Sequence, residues 1–163
     1  MKRLFVEVEK CLACRSCEIA CAVEHSRSKE LVSSLREETK PRSRTKIETD
    51  FRSHSFPLQC RHCKDPYCLD ACISAALSKH SETGLVVLDE KRCVGCWMCV
   101  MVCPFGVIKP GKDKQAALRC DLCQDRETPA CAAACPTKAL VFREIAEIKE
   151  SPKLNRVKKV CTT

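Results

Sequence analysis

The residues of this chain that can do chemistry are its cysteines, because 16 of the 17 fall into four groups of four. Each group ends in two cysteines separated by three residues, and groups 1 and 3 share the full spacing C-x2-C-x2-C-x3-C. Proline follows groups 3 and 4, at Pro104 and Pro136. Numbered 1 to 4 in chain order, the groups are Cys11, Cys14, Cys17 and Cys21; Cys60, Cys63, Cys68 and Cys72; Cys93, Cys96, Cys99 and Cys103; and Cys120, Cys123, Cys131 and Cys135.

This spacing suits iron–sulfur cubes. Three thiolates on one short loop can bind one cube, and the fourth cysteine, already in the next helix, reaches a different cube. The longer steps from Cys63 to Cys68 and from Cys123 to Cys131 remove no thiolate and cost little closure entropy. The 16 grouped thiolates are enough for four [4Fe–4S] clusters. The pattern therefore predicts an electron carrier with no catalytic residue, rather than an enzyme acting on an organic substrate.

Two other classes of cysteine-rich protein are alternatives. Disulfide scaffolds are secreted and usually below ~80 residues, whereas Glu7 and Glu9 interrupt the apolar stretch that a secretory leader would need here. Structural zinc sites usually take their ligands as two separated pairs, whereas these ligands come as runs of three plus one. We therefore expect a cytoplasmic protein without a membrane span. A structural zinc-binding interaction module remains the alternative to an electron carrier.

The formal charge of +8 is weak support for a nucleic-acid partner, because it counts cysteine as neutral. An oxidised cluster with its four thiolates carries about −2, so four clusters add about −8. Many basic residues then compensate buried negative clusters, since an unpaired buried charge is costly. With only four glycines and no dinucleotide-binding fingerprint, neither nucleic acid nor a small-molecule substrate is expected.

Short strands are predicted beside the cysteine groups, at Leu4–Val8, Ile47–Phe51, Leu85–Asp89 and Ala139–Phe142. A strand, a cysteine loop, a short helix and a second strand form the repeating unit of bacterial-type ferredoxins. The sequence therefore predicts an α+β fold of two ferredoxin-like modules, each holding two [4Fe–4S] clusters on short strands and short helices.

Two charged stretches lie outside this repeat. Residues 24–46 are an insertion in which Ser28 to Glu38 is predicted to be a helix, capped by Ser28 and with Leu31, Val32 and Leu35 on one face. In the tail, Ile145 and Ile148 have helical spacing, and Cys161 is predicted to be a free thiol. Two basic runs are predicted to be solvated or to dock an acidic partner: Arg42, Arg44 and Lys46 in the insertion, and Lys153, Arg156, Lys158 and Lys159 in the tail.

A few other residues stand beside the cysteines. His62, between Cys60 and Cys63, is predicted to make an outer hydrogen bond or to pack near a cluster. Trp97 and Met98 are predicted to pack over a cluster and limit water. The remaining histidines are predicted to stand alone, at the surface or in the core: His25, His54 and His80.

The chain resembles the four-cluster electron-transfer subunits of dimethyl sulfoxide reductase, formate dehydrogenase and formate hydrogenlyase. The resemblance rests on the order of the groups and on three segments, namely Gln59-Cys60-Arg61-His62-Cys63, Pro66-x-Cys68 and Cys120-Asp121-Leu122-Cys123. Residues 10–26 and 93–99 look closest to the ferredoxin-like protein that accepts electrons from nickel carbon monoxide dehydrogenase. By that resemblance, carbon monoxide dehydrogenase is the donor, and a hydrogenase or a nicotinamide-reducing oxidoreductase is the acceptor. A formate dehydrogenase or another molybdenum or tungsten oxidoreductase is the alternative partner.

The resemblance also implies a nested set of ligands, whereas spacing alone permits group 1 to pair with group 2 and group 3 with group 4. Nesting gives an outer module, residues 1–50 plus 112–163 with the insertion and the basic tail, and an inner module, residues 51–111. The implied ligand sets are Cys11, Cys14, Cys17 and Cys135 for cluster 1; Cys120, Cys123, Cys131 and Cys21 for cluster 2; Cys60, Cys63, Cys68 and Cys103 for cluster 3; and Cys93, Cys96, Cys99 and Cys72 for cluster 4.

Overall fold

The structure is a computed structural model that describes residues 2–50, 54–112 and 116–145. In that part of the chain, short helices and two-stranded antiparallel sheets form a small mixed α+β fold. The strands are β1 Lys2–Val6, β2 Lys46–Thr49, β3 Ser55–Leu58, β4 Leu77–Lys79, β5 Val86–Leu88 and β6 Leu140–Glu144. The α-helices are α1 Ser16–Glu24, α2 Leu31–Arg36, α3 Tyr67–Asp70, α4 Met98–Met101 and α5 Ala130–Ala133, and Val8–Lys10 form a 3-10 turn.

Strand β1, at the start of the described chain, pairs with β6, at its end. The pairing runs from Lys2 opposite Glu144 to Val6 opposite Leu140, and it buries Leu4 against the larger apolar core. Helix α1 packs against α5 beside this sheet. Because α1 contains the third cysteine of group 1 and α5 that of group 4, this pairing brings those two groups together.

The middle of the chain forms a second unit of the same kind. Strand β4 pairs with β5, with Leu77 opposite Leu88, and α3 packs against α4. Helix α3 contains Cys68 and α4 contains Cys99, so groups 2 and 3 lie side by side. The hairpin of β2 and β3 leads from the insertion into group 2.

Cysteine supplies a large part of the apolar core. The larger core combines Leu4, Ile47, Leu85, Leu122, Ala132, Ala139 and Leu140 with Cys17, Cys120, Cys131 and Cys135. The smaller core holds Val107, Ile108 and Ala117, with Trp97 packed at its edge. With aromatic residues at only 4% of the chain, metal bound by these cysteines contributes directly to folding.

The predicted strands are present with shifted ends, as β1, β2, β5 and β6. Residue 51, the last of the predicted second strand, lies outside the described residues. Strands β3 and β4 were not predicted. Strand β3 contains Pro57, which cannot donate to a ladder, and β4 is only three residues long with two polar positions.

The predicted start of the insertion helix is wrong. Helix α2 begins at Leu31, and the carboxylate of Glu30 caps it by accepting hydrogen bonds from the N–H groups of Val32 and Ser33, at 3.0 and 2.7 Å. The hydroxyl of Ser28 instead donates to Glu37, at 2.7 Å. Glu30 caps the helix in preference to Ser28 because its carboxylate satisfies two first-turn N–H groups at the positive end of the helix.

The apolar side chains of α2 are Leu31, Val32 and Leu35, and all three are exposed. Residues 146–163, which hold Ile148, the basic tail and Cys161, lie outside the described residues. No helix in the described part of the chain is both long enough and apolar enough to cross a bilayer.

Candidate metal centres

Four cysteines from groups 2 and 3 line an open cavity of about 310 Å³. They are Cys72, Cys93, Cys96 and Cys99. Leu77, Leu88 and Trp97 complete its apolar wall, whereas Met98 does not line it and is 44% exposed. Trp97 therefore takes the shielding position predicted from the sequence, and Met98 lies at the surface.

A second cavity, of about 360 Å³, is lined by the other four cysteines of groups 2 and 3, which are Cys60, Cys63, Cys68 and Cys103. Its remaining wall includes Pro104, Phe105, Val107 and Ile108. Each cavity thus draws three cysteines from one group and the last cysteine from the other. Which cysteines bind which cluster stays a prediction.

The thiols of groups 1 and 4 also lie close together. Burial, followed by the neighbouring thiols of Cys21, Cys123 and Cys17, raises the pKa of Cys131 to about 12. Burial raises the pKa of Cys120 well above its usual value, and Cys131 and Cys21 add to this effect. Of the three remaining members, Cys11 and Cys135 meet in the larger core, and Cys14 lies near Cys135.

Buried thiols of this kind need a metal to become thiolates. Burial also raises the pKa values of Cys17 and Cys68 to about 11. Near neutral pH these thiols keep their protons until iron displaces them. Four soft sulfur donors around one cavity form the donor set that [4Fe–4S] clusters use, so the residues fit that group.

The backbone takes the same turn in all four groups. The residue two positions after the first cysteine has a left-handed backbone in each group: Ala13 (φ 55°), His62 (φ 47°), Gly95 (φ 66°) and Leu122 (φ 61°). Successive N–H groups in such turns form concave anion-binding nests, which are common at iron–sulfur sites. Only glycine adopts this conformation without strain, so the other three residues are held in it by the loop around them.

A charged network surrounds Cys21. The backbone N–H of Arg44 donates to Cys21 Sγ at 3.2 Å, and its guanidinium donates to Asp121 Oδ2 at 2.6 Å. His25 Nε2 lies 3.2 Å from both Asp121 oxygens, and Nδ1 donates to the carbonyl of Cys21 at 2.7 Å. Burial opposes the charged imidazole, but its hydrogen bonds to Asp121 and Cys21 raise the pKa of His25 to about 10.

This network corrects two predictions. His25 does not stand alone, because it contacts both Cys21 and Asp121, and Asp121 is 96 residues away from it in sequence. Arg44 is not part of a solvated basic run, because its side chain is half-buried against the same carboxylate. His54 also has a partner, Asp50, at 3.2 Å. In the sequence, Asp121 stands out only as part of a motif, and no role was predicted for it.

A second buried network lies at Cys60. His62 is 5% exposed, and its Nδ1 accepts a hydrogen bond from the N–H of Val86 at 3.2 Å. Arg119, for which no role was predicted, donates to Cys60 Sγ at 3.2 Å. In the described part of the chain, Nε of Arg44, Nε of Arg119 and Nε2 of His62 are buried without a protein partner. These nitrogens belong to residues that contact Cys21 or flank Cys60. Donors without a protein partner are expected beside sulfur atoms that accept their hydrogen bonds.

Comparison with known proteins agrees with these sites. Residues 51–145 match the family model described as a 4Fe-4S dicluster domain. The putative electron transport protein YsaA of Escherichia coli is 34% identical over 151 residues, which cover 90% of this chain and 92% of that protein. An iron-sulfur protein of Rhodospirillum rubrum is 36% identical over 153 residues, covering 84% of this chain and 79% of the relative.

A third relative is a subunit of a larger oxidoreductase. The B subunit of the anaerobic dimethyl sulfoxide reductase of Escherichia coli is 32% identical over 158 residues, which cover 90% of this chain and 75% of that protein. The cofactors are therefore [4Fe–4S] clusters, in keeping with a cysteine complement sufficient for four, and a structural zinc module is not supported. The chain belongs to the 4Fe-4S dicluster family and is an iron–sulfur electron-transfer protein.

Proposed function

We propose that this protein relays low-potential electrons from a carbon monoxide dehydrogenase to a hydrogenase or a nicotinamide-reducing oxidoreductase in the cytoplasm. Each bound cluster supplies a site that takes up and releases one electron. The chain's own residues hold these sites in fixed positions and shield them from water. No bond in an organic substrate is made or broken by the relay.

The observation that carries the relay is the sharing of cysteines between groups. Both cavities of the middle unit combine three cysteines of one group with the last cysteine of the other. Two clusters that exchange their fourth ligands lie next to each other, which short-range electron hopping requires. Helices α1 and α5 pack together and bring groups 1 and 4 close to each other.

We accordingly propose the nested ligand sets for clusters 1 to 4, with the outer module formed by residues 1–50 plus 112–163 and the inner module by 51–111. The alternative, sequential pairing, would need Cys72 to leave the cavity that it lines with Cys93, Cys96 and Cys99. The antiparallel pairing of β1 with β6 supports an outer module built from both ends of the chain.

The proposed donor rests on residues 10–26 and 93–99, which look closest to the protein that serves carbon monoxide dehydrogenase. A formate dehydrogenase is the second candidate partner, because the chain is also related to an oxidoreductase subunit, that of dimethyl sulfoxide reductase. Both candidates require the same clusters, and they differ only in which enzyme reduces them.

The test is a stopped-flow experiment with the iron-loaded protein under anaerobic conditions. Carbon monoxide alone should leave its brown colour unchanged, and carbon monoxide with catalytic carbon monoxide dehydrogenase should bleach it. Formate with a formate dehydrogenase serves as the matched comparison. Bleaching by the formate pair and not by the carbon monoxide pair would reject the proposed donor while leaving the electron-transfer role intact.

A further inference from the structure

Arg119 is a buried guanidinium with no carboxylate partner. It is 4% exposed, and within the described residues no Asp or Glu oxygen forms an ion pair with it. One terminal nitrogen of the guanidinium donates a hydrogen bond to the backbone carbonyl of Val86. The other lies 3.2 Å from Cys60 Sγ and 3.4 Å from His62 Nδ1.

A buried cation in this position requires an anion. Removing a charge from water costs several kcal/mol unless an opposite charge or strong hydrogen bonds compensate it. Of the groups that Arg119 contacts, only the Cys60 sulfur can carry a full negative charge. The guanidinium is therefore compensated when Cys60 is a thiolate, which is its state when it binds iron.

His62 positions this end of the Arg119 guanidinium as a neutral hydrogen-bond acceptor. Two donors, the N–H of Val86 and the guanidinium, converge on Nδ1, so Nδ1 has no proton and the ring is neutral with its proton on Nε2. The ring accepts a hydrogen bond from the guanidinium of Arg119. Because the ring is neutral, it does not compensate the positive charge of Arg119, which faces the Cys60 sulfur.

Arg119 also spans two cysteine groups. Its backbone directly precedes Cys120 of group 4, and its side chain reaches Cys60 of group 2, 59 residues away in sequence. Cys60 itself packs against both apolar cores. The guanidinium thus lies at the junction between the two ends of the chain and its middle, where the two proposed modules meet.

We propose that Arg119, positioned by His62, raises the reduction potential of the cluster bound through Cys60. An electron then resides preferentially on that cluster, at the junction of the two proposed modules. This inference rests on the proposed electron-transfer function. A hydrogen bond to a ligating sulfur and a nearby positive charge both stabilise the more reduced, more negative state. The electron comes from the donor and leaves to the acceptor, and Arg119 gains or loses no proton.

The experiment compares Arg119→Gln and Arg119→Lys with Arg143→Gln, a surface control that removes the same charge from an exposed position. Iron content is determined first, and each cluster's midpoint potential is then followed by EPR during an anaerobic redox titration. We expect one midpoint to move to a more negative potential in Arg119→Gln, and by less in Arg119→Lys, with the others unchanged. The component that moves should be the one altered by Cys63→Ser.

Unchanged midpoints in an Arg119→Gln protein that keeps its iron would overturn the inference, and so would an equal shift in Arg143→Gln. If Arg119→Gln loses its iron, Arg119→Lys decides, because it keeps the charge and loses only the forked geometry. An unshifted Arg119→Lys would then count against the proposal. Failure of the proposed function would look different, because the unmodified protein would then keep its iron and its midpoint potentials but would not be bleached by carbon monoxide with carbon monoxide dehydrogenase.

Discussion

At the scale of single residues, the grouped cysteines are the proposed metal ligands, and several of them are also core side chains. Cys17, Cys120, Cys131 and Cys135 pack among leucine and alanine in the larger core. A cysteine substitution therefore removes a ligand and a packing contact together. The chain's single tryptophan, Trp97, lines the cavity with Cys72 and is therefore a fluorescent reporter at that site.

Cys72→Ala is predicted to raise the fluorescence of Trp97, because loss of the proposed fourth ligand removes or opens the iron cluster that quenches the indole. Cys135→Ala is the matched control, since it removes a last cysteine from a group whose site does not include Trp97. Anaerobic emission spectra of the iron-loaded proteins provide the measurement. A rise in Cys135→Ala in place of Cys72→Ala would favour sequential pairing over the nested sets, because Cys135 would then complete the cluster beside Trp97.

Asp121→Asn is predicted to destabilise the iron-loaded protein by about 2 kcal/mol, because it leaves Arg44 and His25 half-buried without their shared anion. Glu48→Gln is the control, since its ion pair with Lys46 is exposed and such pairs contribute less than about 1 kcal/mol. The rate of bleaching in guanidinium chloride measures the loss. Similar rates for both variants would show that the network at Cys21 is not stabilising.

At this scale the sequence predicted the ligands and one neighbour of them, His62, but not the roles of His25, Asp121 and Arg119. The cysteines were predictable because their spacing within each group is local. The partners of Cys21 and Cys60 were not, because His25 and Asp121 are 96 residues apart and Arg44 and Asp121 are 77 apart. Only the fold brings such residues together.

At the scale of secondary structure, the pairing of β1 with β6 holds both ends of the described chain in one sheet. Leu140 is 2% exposed and lies opposite Val6 in that sheet. Apolar residues predicted β1, β5 and β6, and β2 was predicted although Ile47 is its single apolar residue. Strands β3 and β4, which are short and contain proline or polar residues, were missed.

Leu140→Ala is predicted to cost about 3 kcal/mol, because it leaves a cavity in the larger core. Leu12→Ala, at a side chain that is 72% exposed, should cost less than about 0.5 kcal/mol. The concentration of guanidinium chloride at which the protein bleaches gives the comparison. If Leu12→Ala proved as damaging as Leu140→Ala, the β1–β6 sheet would not anchor the core.

Glu30→Ala is predicted to loosen α2, because it removes the acceptor for the N–H groups of Val32 and Ser33. Amide hydrogen exchange of those two residues should become several-fold faster. Ser28→Ala is the comparison, and it should leave these two amides unchanged because Ser28 bonds to Glu37 instead. Faster exchange in Ser28→Ala alone would restore the cap predicted from the sequence.

At the scale of the whole molecule, the clusters account for features that neither core explains alone. The +8 formal charge is balanced by about −8 from four oxidised clusters. Buried thiols with pKa values of about 11 to 12 at Cys17, Cys68 and Cys131 keep their protons without iron. Iron uptake should therefore weaken as the pH falls, because protons compete for the ligands.

The central claim is that this chain carries electrons on four [4Fe–4S] clusters. The most direct test is to determine iron and zinc in the anaerobically reconstituted protein and to titrate the same sample with a low-potential reductant. The account predicts about sixteen iron atoms and the uptake of about four electrons per chain. Zinc in place of iron, or a protein that accepts no electrons, would contradict it.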